Sequence, residues 1–321
     1  MREYVIEKQD AGQSLLKYLN RLLKEAPMSF FYKMLRKKNI TLNGKKADGH
    51  EIVNAGDTVK IFVSEDTFNK FTGNTYVSPV TNSDVILDIV YEDDNILLIN
   101  KPEGMLSQKS EPSDVSANEY CIDYLIKSGV YNPDNQRAFK PAVCNRLDRN
   151  TTGILIVAKS LIGARSINDS LKKRTIHKYY VCPVKGIVNE HKHLKGSLSK
   201  DRTNNRVVIS DSNGDNFIET DIQPIKCSRH YTLLEVELLT GKSHQIRAHL
   251  ASIGHPLLGD NKYGDRELNK RLGLKYQLLH SYKLIMPEFA GDMEYLSGKT
   301  FEIEIPEIYK RLLEEDNGNL E

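Results

Sequence analysis

The stretch CNRLDRNTTGILIV, residues 144–157, decides how this chain is read. Its last four residues, Ile154-Leu155-Ile156-Val157, form an aliphatic, largely β-branched run that reads as a buried strand. Before them Asn150-Thr151-Thr152-Gly153 makes a polar turn. Asp148 stands just upstream, between Arg146 and Arg149. One carboxylate is thus presented on a loop, beside fixed positive charge, at the lip of a strand. A rigid scaffold offering a reactive loop residue is a common catalytic layout. An ordinary turn is the stronger reading of this stretch alone. Asp, Asn, Thr and Gly favour turns because their side chains or backbone suit them, and an exposed Asp–Arg pair is worth little.

The chain has 321 residues, enough for two domains and at least one sizeable core. Its 45 lysines and arginines nearly balance 43 acids, leaving a net charge of +2. Affinity for a polyanion must therefore come from local clusters. Cys121, Cys144, Cys182 and Cys227 lie far apart, which gives neither zinc spacing nor a disulfide framework. A cytosolic, reducing setting is the simplest fit. The N-terminus MREYVIEKQD lacks the apolar core of a signal peptide, and no run of about 18 apolar residues spans a membrane.

Taken in order, residues 4–8 suit a short strand. Leu15, Leu16, Leu19, Leu22 and Leu23 recur at helical spacing, and Pro27 stops that helix. Ser29 is placed to cap a second helix through Phe30, Phe31, Met34 and Leu35, ending in Arg36-Lys37-Lys38. Ile40-Thr41-Leu42 leads into Asn43-Gly44, a strong hairpin signal. Ala55-Gly56-Asp57 is a turn before the strand at 58–63. These features resemble the small RNA-binding domain named after a ribosomal small-subunit protein, the S-four domain. The resemblance implies RNA contact at Arg36, Lys37 and Lys38; by themselves, cations there would also complement a helix dipole.

Residues 64–83 are polar and non-periodic and read as a linker. Strands are expected at 85–91 and 96–100, joined by a turn at the acidic cluster, with Lys101-Pro102-Glu103-Gly104 following. Helices are expected at 119–128 and 160–174. Residues 175–183 form a strand with adjacent tyrosines, Tyr179 and Tyr180, which must face opposite sides of a sheet. Strands at 217–224 and 231–239 suggest antiparallel pairing. Thr240-Gly241-Lys242-Ser243 then leads into a helix over 244–250, and Gly259-Asp260 closes that region. Late strands fall at 278–284 and 301–305.

Four polar segments therefore each abut a strand: 101–104, 145–153, 178–181 and 240–249. Together they could wall one cleft. NRLDRNTTG is similar to the HRLDxxTSG signature of the RluA family of RNA pseudouridine synthases. LLINKPEGM, GKSHQIRAHLASIGHPLLGDNKYG and LLHSYKL continue the match in the family's order, over residues 84–309. The resemblance implies an α+β fold: a catalytic domain with a mainly antiparallel mixed sheet flanked by helices and loops, behind a small α/β RNA-binding domain. The expected division is 1–70 for the small domain, 71–83 for the linker, 84–310 for the catalytic domain and 311–321 for a polar tail.

The implied activity is isomerisation of uridine to pseudouridine in structured RNA, with large-subunit ribosomal RNA favoured and transfer RNA as the alternative. The base must be flipped out to be reached. The family's essential aspartate maps onto Asp148, its partner arginine onto Arg247, and its base-stacking tyrosine onto Tyr180. Whether the carboxylate attacks the sugar or assists through a glycal stays open. Arg146 is the motif arginine that contacts RNA where the base has left, and Arg149 is a further RNA contact. Lys101, Asn145, His244 and Gln245 support the site from behind. Asn145 replaces the usual histidine and cannot carry charge. No metal or organic cofactor is expected, and a monomer acting on RNA is. The clusters at 172–174 and 191–195 become plausible phosphate contacts once RNA is the substrate. A catalytically silent RNA-binding assembly protein is the second hypothesis, and the intact Asp148 argues against it. A two-carboxylate glycosidase would need a second prominent acid, which the motifs lack.

Overall fold

Leu15, Leu19 and Leu22, the helical stripe of the N-terminal segment, are essentially fully buried in the computed structural model of the protein. The structure describes residues 1–72, 80, 85–133, 139–201, 206–210 and 216–318. It divides into two compact units. One comprises Met1–Leu98, Gln108–Cys144 and Ile156–Asn168; the other comprises Ile99–Ser107, Asn145–Leu155 and Asp169–Glu321. The protein is α+β, with antiparallel pairing dominating its sheets. No helix among the described residues is long and apolar enough to cross a membrane.

In the first unit, Ser14 accepts a hydrogen bond from the Lys17 amide and starts the helix Leu15–Leu22. The next helix, Met28–Arg36, begins at Pro27 with no side-chain cap. Ser29 is therefore inside the helix and does not cap it. Proline's fixed φ and missing N–H make it a ready entry residue. Strands Ile40–Leu42 and Lys45–Lys46 pair across Asn43 and Gly44, both with positive φ, as a two-residue hairpin turn requires. The four-stranded sheet runs Arg2–Val5, Thr58–Ile61, Ile40–Leu42, Lys45–Lys46.

The polar stretch after this sheet contains a helix, Glu65–Thr72. Phe68 is 1% exposed and joins the N-terminal core, stacked on Tyr4. Two aromatics, Phe68 and the half-buried Phe71 packed on Phe30, anchor a helix whose other residues are polar, so composition reads it as linker. Of the rest of that linker, residues 73–79 and 81–84 lie outside the described residues. Further on in the same unit, helix Ala117–Lys127 opens with a capping box between Ser116 and Glu119.

The second unit is built on a sheet ordered Arg206–Ser210, Lys192–Asp201, Phe217–Cys227, Tyr231–Leu238, His177–Lys185, His280–Ile285, and then the first part, 152–155, of the strand Thr152–Ala158. All neighbours are antiparallel except the last pair, where Thr152 and Gly153 run parallel to His280 and Ser281. Gly153 has φ +107, and a Cβ there would lie 2.2 Å from the Ser281 carbonyl oxygen. Only glycine lets these strands approach so closely.

Pairing between His177–Lys185 and His280–Ile285 slips by one residue at Tyr179 and Tyr180. Tyr179 stands opposite Lys283 and Tyr180 opposite Ser281. Residues 311–318, expected as a polar tail, continue the helix Glu307–Gly318. Leu312 and Leu313 are buried there, with Tyr309. The strand Lys192–Asp201 was hidden in a charged cluster whose exposed positions alternate with half-buried ones.

Candidate active site

The loop bearing Asp148 is pinned by two side chains from residues 99–107. Lys101 is fully buried, and its Nζ donates to the carbonyls of Pro102, Met105 and Arg149 at 2.9, 2.8 and 3.0 Å. Burial pushes its pKa down to about 8, against the pull of the Asp148 and Glu103 charges. The Ser107 hydroxyl donates to the Leu147 carbonyl at 2.8 Å and accepts from the Leu147 amide at 3.0 Å. Arg149 Nε donates to the Gly104 carbonyl at 3.2 Å. The Thr151 amide bonds back to the Asp148 carbonyl at 3.0 Å, closing the turn. Asp148 is held on a rigid loop with its carboxylate about a quarter exposed.

Arg247 comes from the helix Gln245–Ser252 and lies 7% exposed. Its Nη1 donates to Asp148 Oδ2 at 2.9 Å. Its Nε and Nη2 donate to the two oxygens of Asp260 at 2.7 and 3.0 Å. Burial opposes the guanidinium charge, but the bonds to Asp260 and Asp148 outweigh it. Asp260 is itself 1% exposed and also accepts from the amides of Lys262 and Tyr263. Burial alone would raise its pKa; Arg247 and those amides hold it below the usual carboxylate range. The fork geometry fixes the arginine's plane.

His244 begins that helix with φ +57, in the left-handed region. The strand-exit turn thus ends on His244 and the helix starts at Gln245. The His244 ring reaches the Tyr263 hydroxyl at 3.0 Å and lies 3.9 Å from Asp148 Oδ2. Burial pushes its pKa down, with Asp148 pulling the other way. Gln245 is structural: its amide bonds Thr240, Lys242, Glu219 and Thr220, which ties the turn to the strand Phe217–Cys227.

Tyr180 is 4% exposed, in the wall of a recess that it shares with Asp148, Arg146, Thr151, His244 and Arg247. Burial pushes its phenol up to about 12, the Ser281 hydroxyl opposing and the Asp148 charge adding to the rise. The recess holds about 60 Å³. Thr151 lines it with a buried hydroxyl that has no partner among the described residues. Tyr179 sits beneath the Lys283 ammonium, 4.3 Å from its ring centroid.

Asp148, Tyr180, Arg247 and His244 are thus brought together, with Arg146 exposed at the rim and without a hydrogen bond or ion pair among the described residues. Lys101 and Gln245 hold the framework, and Asn145 is half-buried beside Arg146. Arg149 is exposed. Arg36, Lys37 and Lys38 lie exposed in the first unit at the end of Met28–Arg36, near the exposed Lys45 and Lys46 in sequence.

The 191–195 cluster is not a free cationic face. His193 bonds Asp221 and Glu219 at 2.6 and 2.7 Å, and Lys195 pairs with Glu219. Asp260, Ser107 and Tyr263 were missed as site residues. The sequence places Asp260 only at the close of the helical region, although GDNKYG is part of the matched motif. Among the described residues no group of His, Cys, Asp and Glu could hold a metal ion.

A family model described as RNA pseudouridylate synthase matches residues 95–252. Over 296 residues the chain is 31% identical to ribosomal large subunit pseudouridine synthase C of Escherichia coli (strain K12), covering 86% of this chain and 85% of the relative. It is 28% identical over 310 residues to an uncharacterized RNA pseudouridine synthase of Mycoplasma capricolum subsp. capricolum, covering 93% and 96%. The solved structure of human RNA pseudouridylate synthase domain containing 4 is alike in fold, with a TM-score of 0.54 at 22% identity over 71% of this chain and 92% of that one.

Proposed function

The chain belongs to the RNA pseudouridylate synthase family, and we propose that it isomerises uridines of large-subunit ribosomal RNA in the cytoplasm with Asp148 as the essential carboxylate. The observation that carries this reading is the Asp148 carboxylate, fixed by Arg247 at 2.9 Å in a recess walled by Tyr180. The ribosomal target rests on the names of relatives such as the Escherichia coli enzyme.

The reaction breaks the bond from the sugar to the ring nitrogen, turns the uracil, and joins the sugar to carbon-5. The carbon-5 proton leaves and the ring nitrogen gains one, so no redox step is needed. Asp148 either bonds the sugar or takes a proton from it through a glycal; both routes use a carboxylate whose direction Arg247 sets. Tyr180 stacks on the base with its phenol protonated at neutral pH. One cause of that high pKa is the Asp148 charge, which a bond from Asp148 to the sugar would remove.

At about 60 Å³ the recess has room for about two waters, so a flipped uracil must widen it. Arg146 and Lys242, both exposed at its edge, are the side chains freest to move. Arg146 then fills the gap left by the base.

The N-terminal segment serves as an S-four-type RNA contact through Arg36, Lys37 and Lys38. None of the three makes an ion pair among the described residues. Changing all three to alanine should weaken ribosomal RNA binding and flatten its salt dependence, measured by filter binding at several salt concentrations. An unchanged affinity removes that corner from the interface.

The main test maps pseudouridine in total RNA from cells lacking the gene, complemented with wild type or Asp148→Asn. Large-subunit signals should be lost in the deletion and restored only by wild type. With purified protein, Asp148→Asn should be slower by about a thousandfold or more while still binding RNA. Turnover like wild type would sink the assignment of Asp148, and signals lost from transfer RNA instead would move the target.

A further inference from the structure

Arg247 lines two openings at once, the recess with Asp148 and an open groove of about 690 Å³. The groove starts at Asn150, two residues past Asp148, and is walled further by Lys262, Arg266, Lys275 and Tyr276. We infer that this groove is a second RNA subsite, which takes the single strand flanking the flipped uridine. Its phosphates meet Lys262, Arg266 and Lys275, and one neighbouring base stacks on Tyr276. The inference rests on the reading of RNA as substrate.

Charge supports it first. The whole chain carries only +2, yet no carboxylate lines this groove among its described residues. Beside Arg247, which is engaged by Asp148 and Asp260, the groove is lined by three further cations, of which Lys262 stands over the Tyr263 ring. Lys275 is exposed and makes no hydrogen bond or ion pair through its side chain among the described residues. Among the described residues Arg266 is anchored by one side-chain bond, Nε to the Asn261 carbonyl at 2.9 Å, which fixes the stem and leaves the guanidinium's other nitrogens for a ligand.

Rigidity comes next. Asn261 Nδ2 donates to the Lys275 carbonyl at 2.8 Å, tying the two walls together. Gly259, at φ +79, lets the backbone of Tyr276 approach so closely that a Cβ on Gly259 would lie 1.9 Å from the Tyr276 carbonyl oxygen. Tyr276 is thereby held at its backbone while the residue stays 44% exposed. Pockets for small molecules are mostly apolar and enclosing. An open groove with cations and one exposed aromatic has instead the composition of a single-strand platform, where bases stack and phosphates pair.

The test uses the full chain. Initial rates of pseudouridine formation are measured on large-subunit ribosomal RNA isolated from cells lacking the gene. Tyr276→Ala should raise KM by about five- to 150-fold, with the loss in KM rather than kcat, while Tyr276→Phe stays near wild type. Lys275→Gln should lower the slope of log affinity against log salt by about 1. The same variants are titrated with a fluorescein-labelled oligouridylate, which reads the groove whether or not product forms. Weaker oligouridylate binding by Tyr276→Ala and Lys275→Gln supports the subsite. Affinity and salt slope equal to wild type in both overturn it. A wild-type protein that makes no pseudouridine in this RNA, but whose oligouridylate affinity responds to both changes, overturns the proposed target and leaves the subsite standing.

Discussion

Asp260 grips Arg247 through both carboxylate oxygens, at 2.7 and 3.0 Å, and so leaves the arginine a single nitrogen for Asp148. The Asp148 carboxylate is therefore aimed by a residue thirteen positions beyond its own partner, in a loop that grips the recess wall from behind without lining the recess.

Asp260→Asn should uncouple that aim. Asparagine keeps one acceptor but no charge, so a buried guanidinium loses the more buried of its two carboxylate partners. A cost of about 3–5 kcal/mol is expected in urea melts. Turnover should fall by about tenfold or more with KM little changed, because Asp148 keeps its loop but loses its fixed direction. Wild-type turnover in a folded Asp260→Asn protein would show that the fork is only structural.

Lys101→Met removes the ammonium that gathers three carbonyls while keeping most of the stem. The three carbonyls are only part-buried, so each loses at most about 1–3 kcal/mol when left without a donor. The variant should melt several degrees lower and lose kcat, since the Arg149 carbonyl is one of the three. Binding of oligouridylate should stay as it was. If kcat survives the loss of stability, the lysine braces the fold without positioning the loop.

Acid sensitivity should trace to His280. The ring is 2% exposed, bonded to the Thr152 hydroxyl at 2.7 Å, and burial pushes its pKa from 6.5 down to about 4. Between those values the unfolded chain binds a proton that the folded chain does not. Stability is thus fully present above pH 6.5 and is lost as pH falls toward 4. The whole loss is about 3 kcal/mol at about 1.4 kcal/mol per unit. His280→Gln should flatten the dependence of Tm on pH in that window. An unchanged acid slope would assign it to other groups.

Sequence reading reached Asp148, Arg247 and Tyr180 only through the resemblance of NRLDRNTTG, HQIR and the K-x-Y pattern to family motifs. Strand alternation alone put Tyr179 and Tyr180 on opposite faces without choosing between them. The helical leucine stripe and the Asn43-Gly44 turn were legible directly: their patterns repeat over a few residues.

What stayed hidden depends on partners distant in sequence. Nothing around Asp260 announces that it will meet Arg247, and the support expected of Lys101 carries no hint of the three carbonyls it gathers. The histidine and lysines of 191–195 looked free because their acids, Glu219 and Asp221, come from another strand. The helices at 65–72 and 307–318 each bury one to three apolar side chains. That is too few to show a period against a polar background.

The slip in pairing between Tyr179 and Tyr180 has a consequence for how this region can change. In a regular ladder Ser281 and Lys283, two residues apart, would share a face. The extra residue, Tyr282, lets Lys283 accompany Tyr179 while Ser281 accompanies Tyr180. The two sides of the sheet are decoupled at this point. Substitutions around Lys283 can accumulate without reaching the phenol of Tyr180, whereas deleting Tyr282 would close the bulge and take a buried ring out of the core it shares with Val181, Leu233 and Tyr309. Point changes should be tolerated here far better than changes in length.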